Sequence, residues 1–142
     1  MNHVSIILSN QIEELKRLEA FMGKLSSDWE IDDRASYQMQ LALDELVTNT
    51  ILYGFAELGS ADSLIQIDVV RMDEGWELRI TDSGIPFNPL LRDAPDLELG
   101  IEQRGIGGLG IHFVRQVMDQ IVYERVESRN VLTMKKLRQL PN

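Results

Sequence analysis

The order of strand-like and helix-like apolar spacings limits the fold of this chain more than any other feature. Residues 4–8 predict a short strand, and apolar residues at helical spacing then predict a first helix that ends near Leu25. Asn10 and Glu13 have the spacing of a capping box at the start of that helix. The chain therefore begins as a strand followed by a capped helix.

A second helix, a hairpin, a third helix and two last strands are predicted next. Residues 33–53 keep helical spacing up to a glycine, and residues 64–81 alternate between apolar and polar on both sides of the turn MDEG. Residues 109–118 predict the third helix, and residues 120–126 and 130–137 predict strands around the turn ESRN. The element order is therefore βααββ, a long loop, then αββ.

This order predicts an α+β fold with a single domain over residues 1–142. Strands and helices of this number pack most simply as a two-layer sandwich. We expect three helices on one face of a mixed, mainly antiparallel sheet.

Composition excludes several kinds of protein. The chain has 14 Lys and Arg residues against 23 Asp and Glu residues, a net charge of -9, so it would repel the phosphates of nucleic acid. It has no cysteine, which excludes disulfides and thiolate metal sites. Residues 1–10 lack a signal peptide's basic start and cleavage site, and no segment is apolar enough to span a bilayer. We therefore expect a cytoplasmic protein without membrane or nucleic-acid partners.

Glu45 and Asn49 form the first pair with chemical potential. They lie four residues apart in the predicted second helix, so their side chains share one face. A carboxylate can accept a proton from a hydroxyl, and an amide oxygen is a suitable ligand for Mg²⁺. The pair is also compatible with a solvated helix face.

The segment TDSGIPFNP, at the end of the hairpin, carries the second candidate site. Asp82 can accept a hydrogen bond from an exocyclic amine, and Gly84 would let a flat ring approach the backbone without a Cβ in the way. An ordinary turn followed by prolines remains the alternative.

The third candidate is the run RGIGGLG before the third helix. Its glycines leave backbone N–H groups free to bind an anion at a helix start, where the helix dipole also favours negative charge. The run does not match the phosphate loop GxxxxGK[ST], and it does not follow a first strand as a dinucleotide fingerprint does. A flexible hinge is the alternative.

Residues 83–108 lack any periodicity and are far longer than the four to six residues typical of a connection. A loop of this length between the second and third candidate sites predicts a mobile lid.

Together these motifs resemble the GHKL ATPases, the superfamily of gyrase, histidine kinases and mismatch-repair ATPases. DELVTN corresponds to the N box of that superfamily, and DSG and RGIGGLG correspond to its two glycine boxes. The chain is most similar to the anti-sigma-factor serine/threonine kinases, in DELVTN, DSGIPFNP, GGLGIHFVRQVMD and the ending YER followed by NVLT. The resemblance covers nearly the whole chain and implies an ATP-binding domain of GHKL type.

The resemblance also implies a role for each site residue. Glu45 would be the catalytic base, Asn49 the Mg²⁺ ligand, and Asp82 the acceptor for the adenine amine, with Gly84 admitting the ring. Residues of the lid and phosphate site would be Arg104, Gly105, Gly107, Gly108 and Gly110. Thr133 would reach the adenine from the neighbouring strand.

The implied function is transfer of the γ-phosphoryl group of ATP, with Mg²⁺, to a serine or threonine of an anti-sigma-factor antagonist. The family resemblance further implies sequestration of a sigma factor and a homodimer. The alternative is a non-catalytic nucleotide-binding module that acts by partner binding alone, against which Glu45 argues. Two other classes of GHKL protein are not expected here, because histidine kinases carry an additional helical dimerisation domain and DNA-topology ATPases carry a transducer domain.

Overall fold

A computed structural model describes residues 2–54, 63–91 and 108–139 of the chain. The strands are β1 (His3–Ser9), β2 (Leu64–Met72), β3 (Gly75–Asp82), β4 (Gln120–Val126) and β5 (Arg129–Leu137). The helices are α1 (Leu15–Asp28), α2 (Asp33–Asn49) and α3 (Gly108–Val117). A 3₁₀ turn precedes α1 at Ile12–Glu14, a π-helical turn follows α2 at Thr50–Gly54, and a second 3₁₀ turn lies at Pro89–Leu91.

The five strands form one sheet in the order β1-β2-β3-β5-β4. The predicted α+β class is confirmed, and each neighbouring pair of strands is antiparallel rather than mixed. β3 and β4 run in the same direction, but β5 returns from β4 in a tight hairpin and inserts between them. The crossover through α3 therefore creates no parallel pair.

The core lies between the helices and one face of this sheet. Alternate residues of the strands point into it, including Ile65, Ile67, Val69, Trp76, Leu78, Ile80, Leu132 and Met134. Helix side chains such as Leu18, Met22, Met39, Leu43 and Val47 complete it. Each large apolar side chain stabilises the fold by roughly 1.5–3 kcal/mol when fully buried, before the entropic cost of ordering. Asp82 and Asn130 are buried at the same strand parity, so the sheet carries polar groups into the edge of this core.

The start of α1 differs from the prediction. The capping box of Asn10 and Glu13 is wrong, because the chain enters the helix through the 3₁₀ turn and its N-cap, Gln11, makes no side-chain cap bond. Instead the backbone N–H and the hydroxyl of Ser9 both donate to Glu14 Oε1, at 2.9 and 3.0 Å. The backbone hydrogen bond from Ser9 is the main cause that lowers the pKa of Glu14.

Helix α2 begins at a side-chain cap and ends in a change of helix type. Asp32 Oδ2 accepts a hydrogen bond from the N–H of Ala35 at 3.1 Å. The α-helical part ends at Asn49, earlier than predicted, and the π-helical turn carries the chain on to Gly54. In the described ranges, none of the helices combines the length and the apolar character needed to cross a bilayer.

Replacing Asp32 by Ala should lower the free energy of unfolding by about 1 kcal/mol, because one N–H at the start of α2 loses its cap. In a domain of this size that change lowers Tm by about 3 °C. Thermal unfolding followed by circular dichroism measures it. Asp32→Asn is the matched control, since asparagine also caps, and equal losses in the two variants would contradict the assignment.

Candidate functional site

Glu45 lies on α2 against the first turn of α3. A Cβ built on Gly110 would overlap the Glu45 carboxylate, so a larger residue at this position would require the Glu45 side chain to move. The side chain of Glu45 is half-buried. Burial raises the pKa of the Glu45 carboxyl, and the negative charge of Asp44 raises it further. The first and third sequence motifs therefore meet at a carboxylate with increased affinity for a proton.

Asn49 lies one helical turn beyond Glu45 and is only 1% exposed. Among the described residues, neither Oδ1 nor Nδ2 of its side chain has a hydrogen-bond partner. A buried polar group without a partner costs about 1–3 kcal/mol, and such groups are uncommon in folded proteins. An amide held in this state fits a site for a metal ion or a polar ligand.

Asp82 ends β3 as a buried carboxylate, 5% exposed. Its Oδ1 accepts hydrogen bonds from the N–H of Gly84 at 2.9 Å and from Asn130 Nδ2 at 3.0 Å. Burial raises the pKa of Asp82, while these two hydrogen bonds and the positive charge of Arg125 oppose the rise. The balance gives a buried acceptor at the strand end, as the sequence predicts for recognition of an amine.

Gly84 also has a structural reason that the sequence analysis did not predict. A Cβ at this position would overlap the carbonyl oxygen of Gly54, and that same oxygen accepts a hydrogen bond from the N–H of Ile85 at 2.9 Å. The position that a Cβ would take at Gly84 is therefore filled by the backbone of the π-helical turn that follows α2. This close contact joins the first and second sequence motifs.

The structure does not bring Thr133 to Asp82, which corrects the prediction for this residue. In the register of β3 with β5, Asp82 lies opposite Asn130 and Thr133 lies opposite Arg79. Successive side chains of a strand point to opposite faces of the sheet. Thr133 and Arg79 therefore lie on the face away from the helices, and Asp82 and Asn130 lie on the helix side.

Asn130 is the residue that sequence reasoning missed. Its place in the segment ESRN favours a turn, which is the commonest role of asparagine between two strands. Its contact with Asp82 depends on the register of two strands 48 positions apart in the chain. Nothing in the local sequence reports that register.

The first part of the predicted lid is fastened to the body of the domain. The side chain of Asn130 binds Ile85 O and Phe87 N, and Arg115 of α3 donates to Leu90 O. The rings of Tyr53 and Phe87 lie 6.0 Å apart. Of the predicted phosphate residues, Gly108 opens α3 and Gly110 meets Glu45, whereas Arg104, Gly105 and Gly107 lie outside the described residues.

The donor set fits a magnesium ion carried by a phosphate ligand better than a metal held by protein alone. The described part of the chain contains no group of three or more His, Asp or Glu side chains placed to bind a metal. Mg²⁺ usually keeps several waters and is bound through few protein groups together with substrate phosphates. Asn49 Oδ1, buried and unpaired, is suited to that single role.

Replacing Gly84 by Ala should destabilise the protein by about 1–3 kcal/mol, because the new methyl group overlaps a backbone carbonyl that cannot move alone. Denaturant unfolding measures the change. Gly23→Ala is the matched control: nothing lies within 4 Å of a Cβ there. In the interior of α1 that substitution should stabilise by roughly 0.5–1 kcal/mol. An unchanged stability of Gly84→Ala would contradict the contact with Gly54.

Comparison with known proteins finds similar serine-protein kinases. Serine-protein kinase RsbW from Listeria monocytogenes serovar 1/2a is 26% identical over 87 residues, which are 58% of this chain and 54% of that protein. The protein of the same name from Listeria innocua serovar 6a is 28% identical over 87 residues, with the same shares covered. The chain thus spans about half the length of these curated relatives, 54%.

A solved structure has the same fold. The RsbU and RsbW domains of Rv1364c from Mycobacterium tuberculosis superpose with a TM-score of 0.65 at 12% identity, covering 96% of this chain and 32% of that one. The family model described as histidine kinase-like ATPase domain matches residues 8–136. Since that match extends over most of the chain, the protein belongs to the histidine kinase-like ATPase domain family.

Proposed function

We propose that this protein binds Mg·ATP and transfers its γ-phosphoryl group to a serine or threonine hydroxyl of a partner protein. The observation that carries the proposal is the pair on α2, where the carboxylate of Glu45 precedes the buried, unpaired amide of Asn49 by one turn. A base and a metal ligand at this spacing are the two protein groups that such a transfer needs.

Asp82 would select the purine. An ionised carboxylate accepts a hydrogen bond from the exocyclic amine of adenine, and it repels the oxo group that guanine presents at the same position. Asp82 is buried at the end of β3, next to the contact of Gly84 with Gly54, so the base would lie near the end of α2. We propose that the phosphates then extend along α2 toward Asn49 and Glu45.

Asn49 would hold the metal and the start of α3 would face the phosphates. Mg²⁺ supplies neutralisation of charge on the β- and γ-phosphate oxygens. Gly108 and Gly110 lie in the first turn of α3, whose unpaired N–H groups and dipole favour anions. Arg104, Gly105 and Gly107, which precede α3 in the sequence, would complete the lid and phosphate contacts.

Glu45 would act as general base. Its carboxylate takes the proton of the acceptor hydroxyl while that oxygen forms a bond to the γ-phosphorus. The bond from the γ-phosphorus to its bridging oxygen breaks, and ADP leaves. A carboxyl whose pKa is raised by burial is a stronger base than an exposed one, provided that it is ionised at working pH.

The partners follow from the resemblance and from the relatives. The Listeria relatives are named serine-protein kinases. The sequence resembles the anti-sigma-factor kinases, so we propose an anti-sigma-factor antagonist as the phosphorylated protein. A sigma factor would be the sequestered partner of a cytoplasmic homodimer.

One observation favours a second candidate function, a nucleotide-binding module that acts by occupying its partner. Gly110 lies directly against the Glu45 carboxylate, which restricts the approach of an acceptor hydroxyl in this arrangement of α2 and α3. Catalysis requires α3 to shift away from Glu45, whereas a pure binding module does not.

The test incubates the purified protein with ATP, Mg²⁺ and the product of any adjacent antagonist-like reading frame, and then searches that product for phosphoserine or phosphothreonine by mass spectrometry. The proposal predicts one phosphorylated serine or threonine that depends on ATP and Mg²⁺. Tight binding of ATP and partner without phosphorylation would leave the binding module as the function.

Asp82→Asn should weaken ATP binding by about 10- to 100-fold, since an amide that turns its NH₂ toward the adenine amine leaves two donors facing each other. Isothermal calorimetry at saturating Mg²⁺ measures the affinity. Asp68→Asn, on the outer face of the sheet, is the matched control and should bind as the parent does. Parental affinity in Asp82→Asn would remove Asp82 from the base site.

Glu45→Gln should slow phosphoryl transfer by about 10²- to 10⁴-fold and leave ATP affinity nearly unchanged, because it removes the base without altering shape. Gly110→Ala should slow transfer as well, since its methyl group displaces the Glu45 carboxylate. Stability should change little, because the displaced atoms end a flexible side chain. Gly23→Ala controls for the substitution itself, and parental transfer rates in Glu45→Gln would exclude a base at this position.

A further inference from the structure

Asn130 uses its whole hydrogen-bonding capacity beside Asp82. Nδ2 donates to Asp82 Oδ1 at 3.0 Å and to Ile85 O at 2.7 Å. Oδ1 accepts from Phe87 N at 3.2 Å and from the hydroxyl of Tyr123. A primary amide offers two donors and two acceptor positions, so each one is engaged here. Asn130 is only 5% exposed, and its hydrogen bond to Asp82 is buried.

The partners also fix which way the amide points. A carboxylate oxygen and a carbonyl oxygen only accept, and a backbone N–H only donates. Turning the amide over would place its oxygen against Asp82 and Ile85 O and its NH₂ against Phe87 N. Asn130 therefore holds a single orientation with its NH₂ toward Asp82.

The two oxygens of the Asp82 carboxylate have different hydrogen-bond partners. Both hydrogen bonds that the described residues give to this side chain end on Oδ1, one from Gly84 N and one from Asn130. The other oxygen is left to accept from a ligand. Hydrogen bonds to a carboxylate also favour its charged form, which accepts an amine and repels an oxo group.

We propose that Asn130 is a positioning residue that aims the free oxygen of Asp82 at the purine amine and thereby sets the preference for adenine over guanine. This inference rests on the proposed binding of ATP. Asn130 acts through Asp82 and needs no contact with the base.

Asn130 also holds the loop that follows β3. Asn130 holds Ile85 and Phe87, and Arg125 of the edge strand β4 donates to Gly84 O at 2.8 Å. Tyr123, also on β4, completes the contact through its hydroxyl. The base-recognising oxygen and the first residues of the predicted lid are therefore set by one network.

The test compares Asn130→Ala with the parent in three competition assays, using Mg·ATP, Mg·GTP and Mg·tripolyphosphate as ligands. ATP affinity should fall by about 5- to 100-fold, the range for a buried polar group left without its partner. Affinity for tripolyphosphate, which has no base, should stay within about 2-fold. Because the loss falls on the contact with the adenine amine, the ratio of ATP affinity to GTP affinity should fall. Thr133→Ala, on the same strand but the opposite face, should keep all three affinities.

The outcomes separate this inference from the proposed function. If the parent binds neither ATP nor tripolyphosphate, the proposed function fails and the inference fails with it. If the parent prefers ATP and folded Asn130→Ala keeps the same preference, the inference alone is overturned. Equal losses of ATP and tripolyphosphate would also overturn it, because they indicate a collapsed site rather than a misplaced carboxylate.

Tyr123→Phe keeps the proposal testable if Asn130→Ala does not fold. It removes only the hydroxyl that Asn130 accepts from, and leaves the ring in place. Its ratio of ATP affinity to GTP affinity should fall by about 2- to 5-fold. The effect is smaller than that of Asn130→Ala because the lost hydrogen bond acts on Asn130 and not on Asp82 directly. An unchanged ratio in a folded Tyr123→Phe variant would contradict the positioning role.

Discussion

The hydrogen bond from Ile85 N to the carbonyl oxygen of Gly54 is the contact on which the candidate site depends. It joins the end of α2, which carries Glu45 and Asn49, to the end of β3, which carries Asp82. Gly84 allows the two backbones to approach closely enough for the bond to form. Asn49 and Asp82 are both buried, and this contact lies between the two segments that carry them. The π-helical turn Thr50–Gly54 carries the chain from the helix into this contact.

Two buried polar side chains show how the domain divides stability and function. Asp82 is surrounded by donors that support its charge, but burial still raises the pKa of its carboxyl, so these donors offset the cost of its burial only in part. Asn49 has no such partner among the described residues, and its burial is a cost of about 1–3 kcal/mol that a bound metal and phosphate would offset. Ligand binding is therefore expected to stabilise the fold, since a group that binds only the native state shifts the folding equilibrium toward it.

Local patterns in the sequence predict most of the helices and strands. They do not predict which residues of distant strands lie opposite each other, and the positions of Thr133 and Asn130 depend on that pairing. The hairpin of β2 and β3 and the strands β4 and β5 follow period-two alternation, and α2 carries Glu45 and Asn49 at helical spacing as expected. The family resemblance implies that Thr133 reaches the adenine from the neighbouring strand, yet Thr133 lies opposite Arg79 and its side chain points to the other face of the sheet. Asn130 could not be found, because its role depends on lying opposite Asp82 in the sheet. The glycine of DSG was predicted, but its reason, the carbonyl of Gly54, is a tertiary contact that no local pattern reports.

A crystal structure with Mg²⁺ and a non-hydrolysable ATP analogue tests the central claim most directly. The adenine amine should lie within hydrogen-bond distance of the Asp82 oxygen that Asn130 leaves free, and the metal should lie at Asn49 Oδ1. A groove of about 280 Å³ is lined by the outward-facing side chains of Ile7, Leu64, Gln66 and Thr81 together with residues at the end of β3. A nucleotide seated in that groove, with Asn49 still unpaired, would contradict the account.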